Sequence, residues 1–185
     1  MLARNIRRGK ALCTYLILFA LVCAYHAFSL FLLRYLIPLF LLSVPLILRE
    51  RINLRVSFRD GATGILVSAI LLLPFWFFMA RAGKGFVMLP AGALIYQLVG
   101  ISFPEEVYFR GFLQEKLGNT IRGVLIVSAL FSLMHLPQYI FHGDAYSLLT
   151  FLPSLVMGFL YWRTSNVLPS LLFHFFANVV FIGIV

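Results

Sequence analysis

Seven runs of largely apolar residues, each about long enough to cross a bilayer, leave this chain one environment to fold in. They cover residues 11–28, 31–48, 62–79, 88–113, 123–141, 146–162 and 167–185. Short turns part them, several carrying Arg or Lys. Apolar residues make up 62% of the 185 and charged residues 11%. A soluble domain carries about a quarter charged residues. The expectation is an all-α fold, a polytopic membrane bundle of six or seven transmembrane helices. The length leaves no room for a second, soluble domain, so residues 1–185 read as one membrane domain.

The formal net charge of +9 raises nucleic acid as a partner. The basic residues, however, flank apolar runs and build no separate basic face, which argues for a lipid bilayer and against nucleic acid. With the N-terminus inside, eleven of the fifteen Lys and Arg fall on cytoplasmic flanks, among them Arg4, Arg7, Arg8, Lys10, Lys116 and Arg122. Arg34, Arg81 and Lys84 fall outside, and Arg110 lies within a span. A multi-pass protein of the cell membrane with a cytoplasmic N-terminus is expected. The first run ends without a small-residue cleavage site, so it reads as an anchor helix and not as a removed signal. The segment 49–60, the most charged stretch, reads as interfacial. Cys13 and Cys23 suggest neither a disulfide nor a zinc knuckle.

Against this background the acids stand out. Only six occur, and two are adjacent, Glu105 and Glu106, inside the fourth span. A carboxylate at membrane depth is expensive and points to function. Glu106 and Arg110 are four apart, the spacing at which an acid and a base meet on a helix, so that pair can be structural. Glu105 is rotated about 100° from it and is the one expected in a cavity. Pro104 should kink the helix or free a carbonyl. His135 lies in the fifth span; His174 and Asn178 share a face of the last. At 1.5 Å per residue, Glu105, His135, His174 and Asn178 lie roughly 12, 18, 10 and 16 Å from the inner ends of their spans. His26 and His142 read as helix–helix hydrogen-bonding groups.

A carboxylate in a poorly solvated site can take a proton from water, imidazoles can orient that water, and an amide can donate to an oxyanion. No Ser or Cys is placed as a nucleophile, and no His-Glu-x-x-His zinc signature occurs. Hydrolysis is the reading. Two alternatives stay open on the residues alone: a non-enzymatic immunity or interaction protein, and a proton-coupled carrier, which would call for internal repeats not seen here.

Three ordered motifs carry a family resemblance: Glu105-Glu106-Val107-Tyr108-Phe109-Arg110, Phe131-Ser132-Leu133-Met134-His135 and His174-Phe175-Phe176-Ala177-Asn178. They resemble those of the CPBP intramembrane endopeptidases, which include CAAX prenyl endopeptidases, bacteriocin-processing proteins and abortive-infection-type proteins. Pro104 before the pair is less usual there. The resemblance covers about residues 90–182 as a protease core, with the helices over 11–79 accessory. It implies a glutamate-type protease in which Glu105 with His135 activates water. His174 and Asn178 would bind the oxyanion, and Glu106 and Arg110 would support the geometry or touch substrate. The substrate would be a peptide or membrane protein cut near its C-terminus, with no cofactor expected. A zinc-dependent version is the alternative, since two histidines and a carboxylate can bind that ion.

Overall fold

The computed structural model describes residues 2–185, with side chains from residue 8 onward. Seven helical passes follow one another among the described residues. They are α1 (Leu2–Phe28), α2 (Leu33–Ile47), α3 (Phe58–Arg81), α4 (residues 91–117), α5 (Ile121–His142), α6 (Ala145–Thr164) and α7 (Val167–Gly183). Four of them, α1, α3, α5 and α6, are long and apolar enough to cross a membrane, and α2 and α7 are shorter apolar helices. The chain is an all-helical membrane bundle, as its apolar runs require. Of the cationic flank named above, the side chains of Arg4 and Arg7 lie outside the described residues.

Helix starts are set by side-chain caps. Ser57, Thr120, Asp144 and Asn166 each accept a backbone N–H from the first turn that follows. Gly118 and Gly143, at φ of 114° and 73°, take left-handed backbone where α4 and α5 end.

The bundle is apolar outside and polar within. Leu16, Leu66, Phe78 and Leu152 are exposed, whereas Glu106, Arg110, Gln114, Ser154, Asn166 and Ser170 are fully buried. Lipid solvates the first set, while the polar groups within lie among buried apolar side chains such as Tyr108, Phe112 and Leu113 and need protein partners. Helix α4 is the buried axis: every residue of Val107–Gln114 is buried. Helix α3 packs against α7 at Gly64, where a Cβ would come within 2.8 Å of the Pro169 carbonyl oxygen.

Residues 51–57, expected to be interfacial, form a non-helical strap across the ends where α4 and α6 finish and α7 begins. Asn53 Nδ2 donates to the Ser165 carbonyl at 2.8 Å, Val167 N donates to the Asn53 carbonyl at 3.1 Å, and Lys116 pairs with Glu50 just before the strap. At the opposite end His142 Nε2 and His26 Nδ1 are 3.0 Å apart, the helix–helix contact expected of these two histidines.

Two departures from regular helix shape the middle of the bundle. Pro104 sits in one regular α-turn of α4, Phe103–Glu106. Residues Tyr96–Ser102 and Val107–Gln114 are instead wound as π-helix on either side of the glutamates. The wider i→i+5 turn re-satisfies carbonyls that a proline would orphan in an α-helix. The fifth pass, expected to be continuous, is interrupted at His135 (φ −93°, ψ −6°). Pro137 fits this break: it lacks the N–H that the Leu133 carbonyl would accept, and its ring crowds that carbonyl one turn upstream.

Candidate functional site

Five passes contribute to one cavity of about 510 Å³. Its polar lining includes Glu105 and Gln97 from α4, His135 and Gln138 from α5, and His174 and Asn178 from α7, while α6 and its approach add Asp144, Ser147 and Thr150. Apolar walls come from Leu71, Leu72, Phe75, Val156, Phe173 and Phe181. The four residues expected to do chemistry, Glu105, His135, His174 and Asn178, therefore share one space.

The two adjacent glutamates diverge as helical geometry requires. Glu106 is fully buried, and its Oε2 faces Arg110 Nε at 3.5 Å. That is an ion-pair contact and not a well-formed hydrogen bond. Arg110 Nη2 donates to Ser154 Oγ at 2.7 Å. Gly158, one turn further along α6, lets α5 come close: a Cβ there would meet Val124 Cγ1 at 2.8 Å, while it would only touch Arg110 Nη1, at 3.5 Å. The Glu105 side chain keeps 23% of its surface accessible and opens into the cavity.

His174 stands between the two carboxylates. Its Nδ1 is 3.1 Å from Glu106 Oε1 and its Nε2 is 3.7 Å from Glu105 Oε2. The sequence expectation paired Glu105 with His135. The structure gives Glu105 its close contact with His174, and His135 reaches the same cavity from another side. His135 Nδ1 lies 2.9 Å from the Phe131 carbonyl, which can only accept. That nitrogen carries the proton, so in the neutral ring Nε2 is left as an acceptor. The break at Pro137 supports this contact: the His135 backbone N–H turns to Ser132 O at 3.0 Å, and the ring takes the Phe131 carbonyl instead.

Phe131 spaces the imidazoles. Its ring centroid is 4.9 Å from that of His135 and 5.8 Å from that of His174, and the Arg110 guanidinium lies 5.6 Å above it. A planar hydrocarbon wall here fixes both rings and covers the buried cation.

Asn178 donates through Nδ2 to Gln97 Oε1 at 3.3 Å, which orients its amide and leaves its second N–H free of this bond. Gln97 and Ser154 were not read from the sequence. Each is a single polar residue in an apolar run at no telling spacing from the motifs. Among the described residues, no three His, Cys, Asp or Glu side chains come together closely enough to hold a metal ion.

Set beside known proteins, residues 86–180 match the model of a family described as type II CAAX prenyl endopeptidase Rce1-like. Comparison with curated proteins and with solved structures gives no match.

Proposed function

The chain belongs to the Rce1-like family of type II CAAX prenyl endopeptidases, and from that premise we propose an intramembrane endopeptidase of the cell membrane that cuts near the C-terminus of a membrane-associated protein or peptide. The observation that carries the reading is the convergence of Glu105, His135, His174 and Asn178 on one cavity among apolar walls. Those walls suit apolar substrate residues, and the polar groups suit a single peptide bond.

In the proposed reaction a water donates one hydrogen to the Glu105 carboxylate and the other to His135 Nε2. Its lone pair is then free to attack the carbonyl carbon. As the C–O bond forms, Glu105 takes the proton. The negative charge gathering on the carbonyl oxygen accepts from the free N–H of Asn178 and, when His174 is protonated, from its Nε2–H. Glu105 then passes its proton to the departing nitrogen, the C–N bond breaks, and acid and amine products result. Glu106 and Arg110 touch no reacting atom. Glu106 holds His174 by its Nδ1, Arg110 holds Glu106, and both are positioning residues. No step is routed through a metal, because no three His, Cys, Asp or Glu side chains among the described residues stand close enough together to hold one. Metal analysis of the purified protein, with and without chelator, checks the zinc-dependent alternative.

The test is cleavage of apolar C-terminal tail peptides by protein purified in detergent. Glu105→Gln, Glu105→Ala and His135→Ala should each lose on the order of 10²–10⁴ in kcat, the range for a general acid–base group. Undiminished cleavage by Glu105→Ala would end the proposal, and a non-enzymatic role would replace it.

A further inference from the structure

Most of the chain's six acids are accounted for. Glu50 pairs with Lys116, Asp60 with Arg55, and Glu106 with Arg110. Glu105 faces His174, and Glu115, on the surface, accepts from Tyr161 Oη at 3.0 Å. Asp144 is different. It is half-buried, it lines the cavity, and among the described side chains no Lys, Arg or His forms an ion pair with it.

Asp144 is nonetheless held firmly. Its Oδ2 accepts from Gln138 Nε2 at 2.6 Å and its Oδ1 from Tyr146 N at 3.0 Å. Ser147 Oγ lies 2.7 Å from the Asp144 carbonyl and 3.2 Å from that of His135, tying this turn to the histidine. Gln138 follows His135 by three residues, about 5 Å along the helix. Both partners of the carboxylate are neutral, and each of its oxygens keeps acceptor capacity. A lone negative charge against apolar walls attracts a cation more strongly than the same charge in water.

We propose that Asp144, oriented by Gln138, is a specificity-determining residue that receives a cationic nitrogen of the substrate within about three extended residues of the bond that is cut. The nitrogen belongs to a Lys or Arg side chain. This inference rests on the protease reading of the same cavity. Among the charged and titratable groups that line it, Glu105 also attracts a cation, while His135 and His174 bear on that attraction according to their protonation. Turn capping, the competing role, is separable: Asn at this position also caps helical turns but carries no charge.

The experiment uses the full chain in detergent and acetylated twelve-residue apolar peptides in which one Lys is moved through the sequence, each paired with its Gln counterpart. A further arm leaves the amino terminus free. Cleavage is read by mass spectrometry as kcat/KM. Binding is read by fluorescence anisotropy on Glu105→Gln, which removes the second carboxylate. At one register the wild type should favour Lys over Gln on the order of tenfold, mostly in KM. Asp144→Asn should bring that ratio close to one, and Asp144→Lys should invert it toward Glu. A preference confined to the free amino terminus, remote from a bond cut near the C-terminus, counts against the proposal. Equal handling of Lys, Gln and free amine by the wild type, or a Lys preference that survives Asp144→Asn, overturns the proposal. If no peptide is cut at all, the protease reading fails. The anisotropy ratio, measured also on Asp144→Asn combined with Glu105→Gln, still decides the role of Asp144.

Discussion

Arg110 lies at the centre of the bundle with none of its surface exposed, against Glu106, Ser154 Oγ and the face of Phe131. Removing one member of a buried ion pair strands the other, at a cost of about 3–5 kcal/mol. Arg110→Ala should therefore lower the unfolding temperature in detergent markedly. Glu105→Gln, at a carboxylate that opens into the cavity, should leave it nearly unchanged. Equal shifts for the two variants would contradict the division into a supporting pair and a reacting acid. At this scale much of the site was legible, because Glu105, Glu106, Arg110, His135, His174 and Asn178 are conspicuous in a chain this apolar. Gln97, Gln138, Asp144 and Ser154 were not. An amide or hydroxyl costs less in a membrane helix than a charge does, and Asp144 lies in a turn between two passes where a charge is ordinary, so none of the four carries much information until its partner is known.

At the scale of the element, hydropathy marks where a helix runs but is silent on how it is wound. The seven passes fall close to the seven apolar runs, while the π-wound turns around the glutamates and the break at His135 follow from Pro104 and Pro137 acting inside those runs. Pro137 could have been read from sequence as a probe of His135, since a residue two positions before a proline sits where the helical bonding pattern must change. The start of α7 shows how ends are fastened. Asn166 is fully buried, accepts from Leu168 N at 3.2 Å, and donates to the Arg55 carbonyl and to Asp60 Oδ2, both at 2.8 Å. Asn166→Ala removes a cap and leaves Asp60 short of a donor, for a loss of about 1–3 kcal/mol. Because the strap over residues 51–57 is tied down there, limited proteolysis in that segment should quicken together with the fall in unfolding temperature. Cleavage at the wild-type rate would mean the strap is held by other contacts.

For the whole molecule, seven passes that all cross would place the two ends on opposite faces of the bilayer. The short helices strain that count. Helix α2, with 15 residues, is about 22 Å long, and α7, with 17, about 26 Å, against a hydrocarbon core of about 30 Å. Local thinning of the bilayer or snorkelling of flanking residues makes up such differences at modest cost. We expect a fluorescent reporter before residue 1 to be active on the cytoplasmic side and a phosphatase after residue 185 to be active on the other. Two reporters active on one side would remove a pass from the count.

Composition and the spacing of apolar runs were sufficient for an all-helical membrane bundle, since lipid offers the backbone no hydrogen bonds and only helices or closed barrels cross it. The same scarcity of polar groups made the glutamate pair and the histidines visible as candidates. Only packing decided that His174 stands between both carboxylates, that Phe131 spaces two imidazoles, and that Asp144 joins their cavity without a cation of its own. Those relations join residues 43 to 69 positions apart in some cases and only four in others, and nothing in a linear pattern distinguishes them. They exist because each helix has one rotation about its axis that satisfies its buried polar groups, and that rotation is fixed by its neighbours and not by its own sequence.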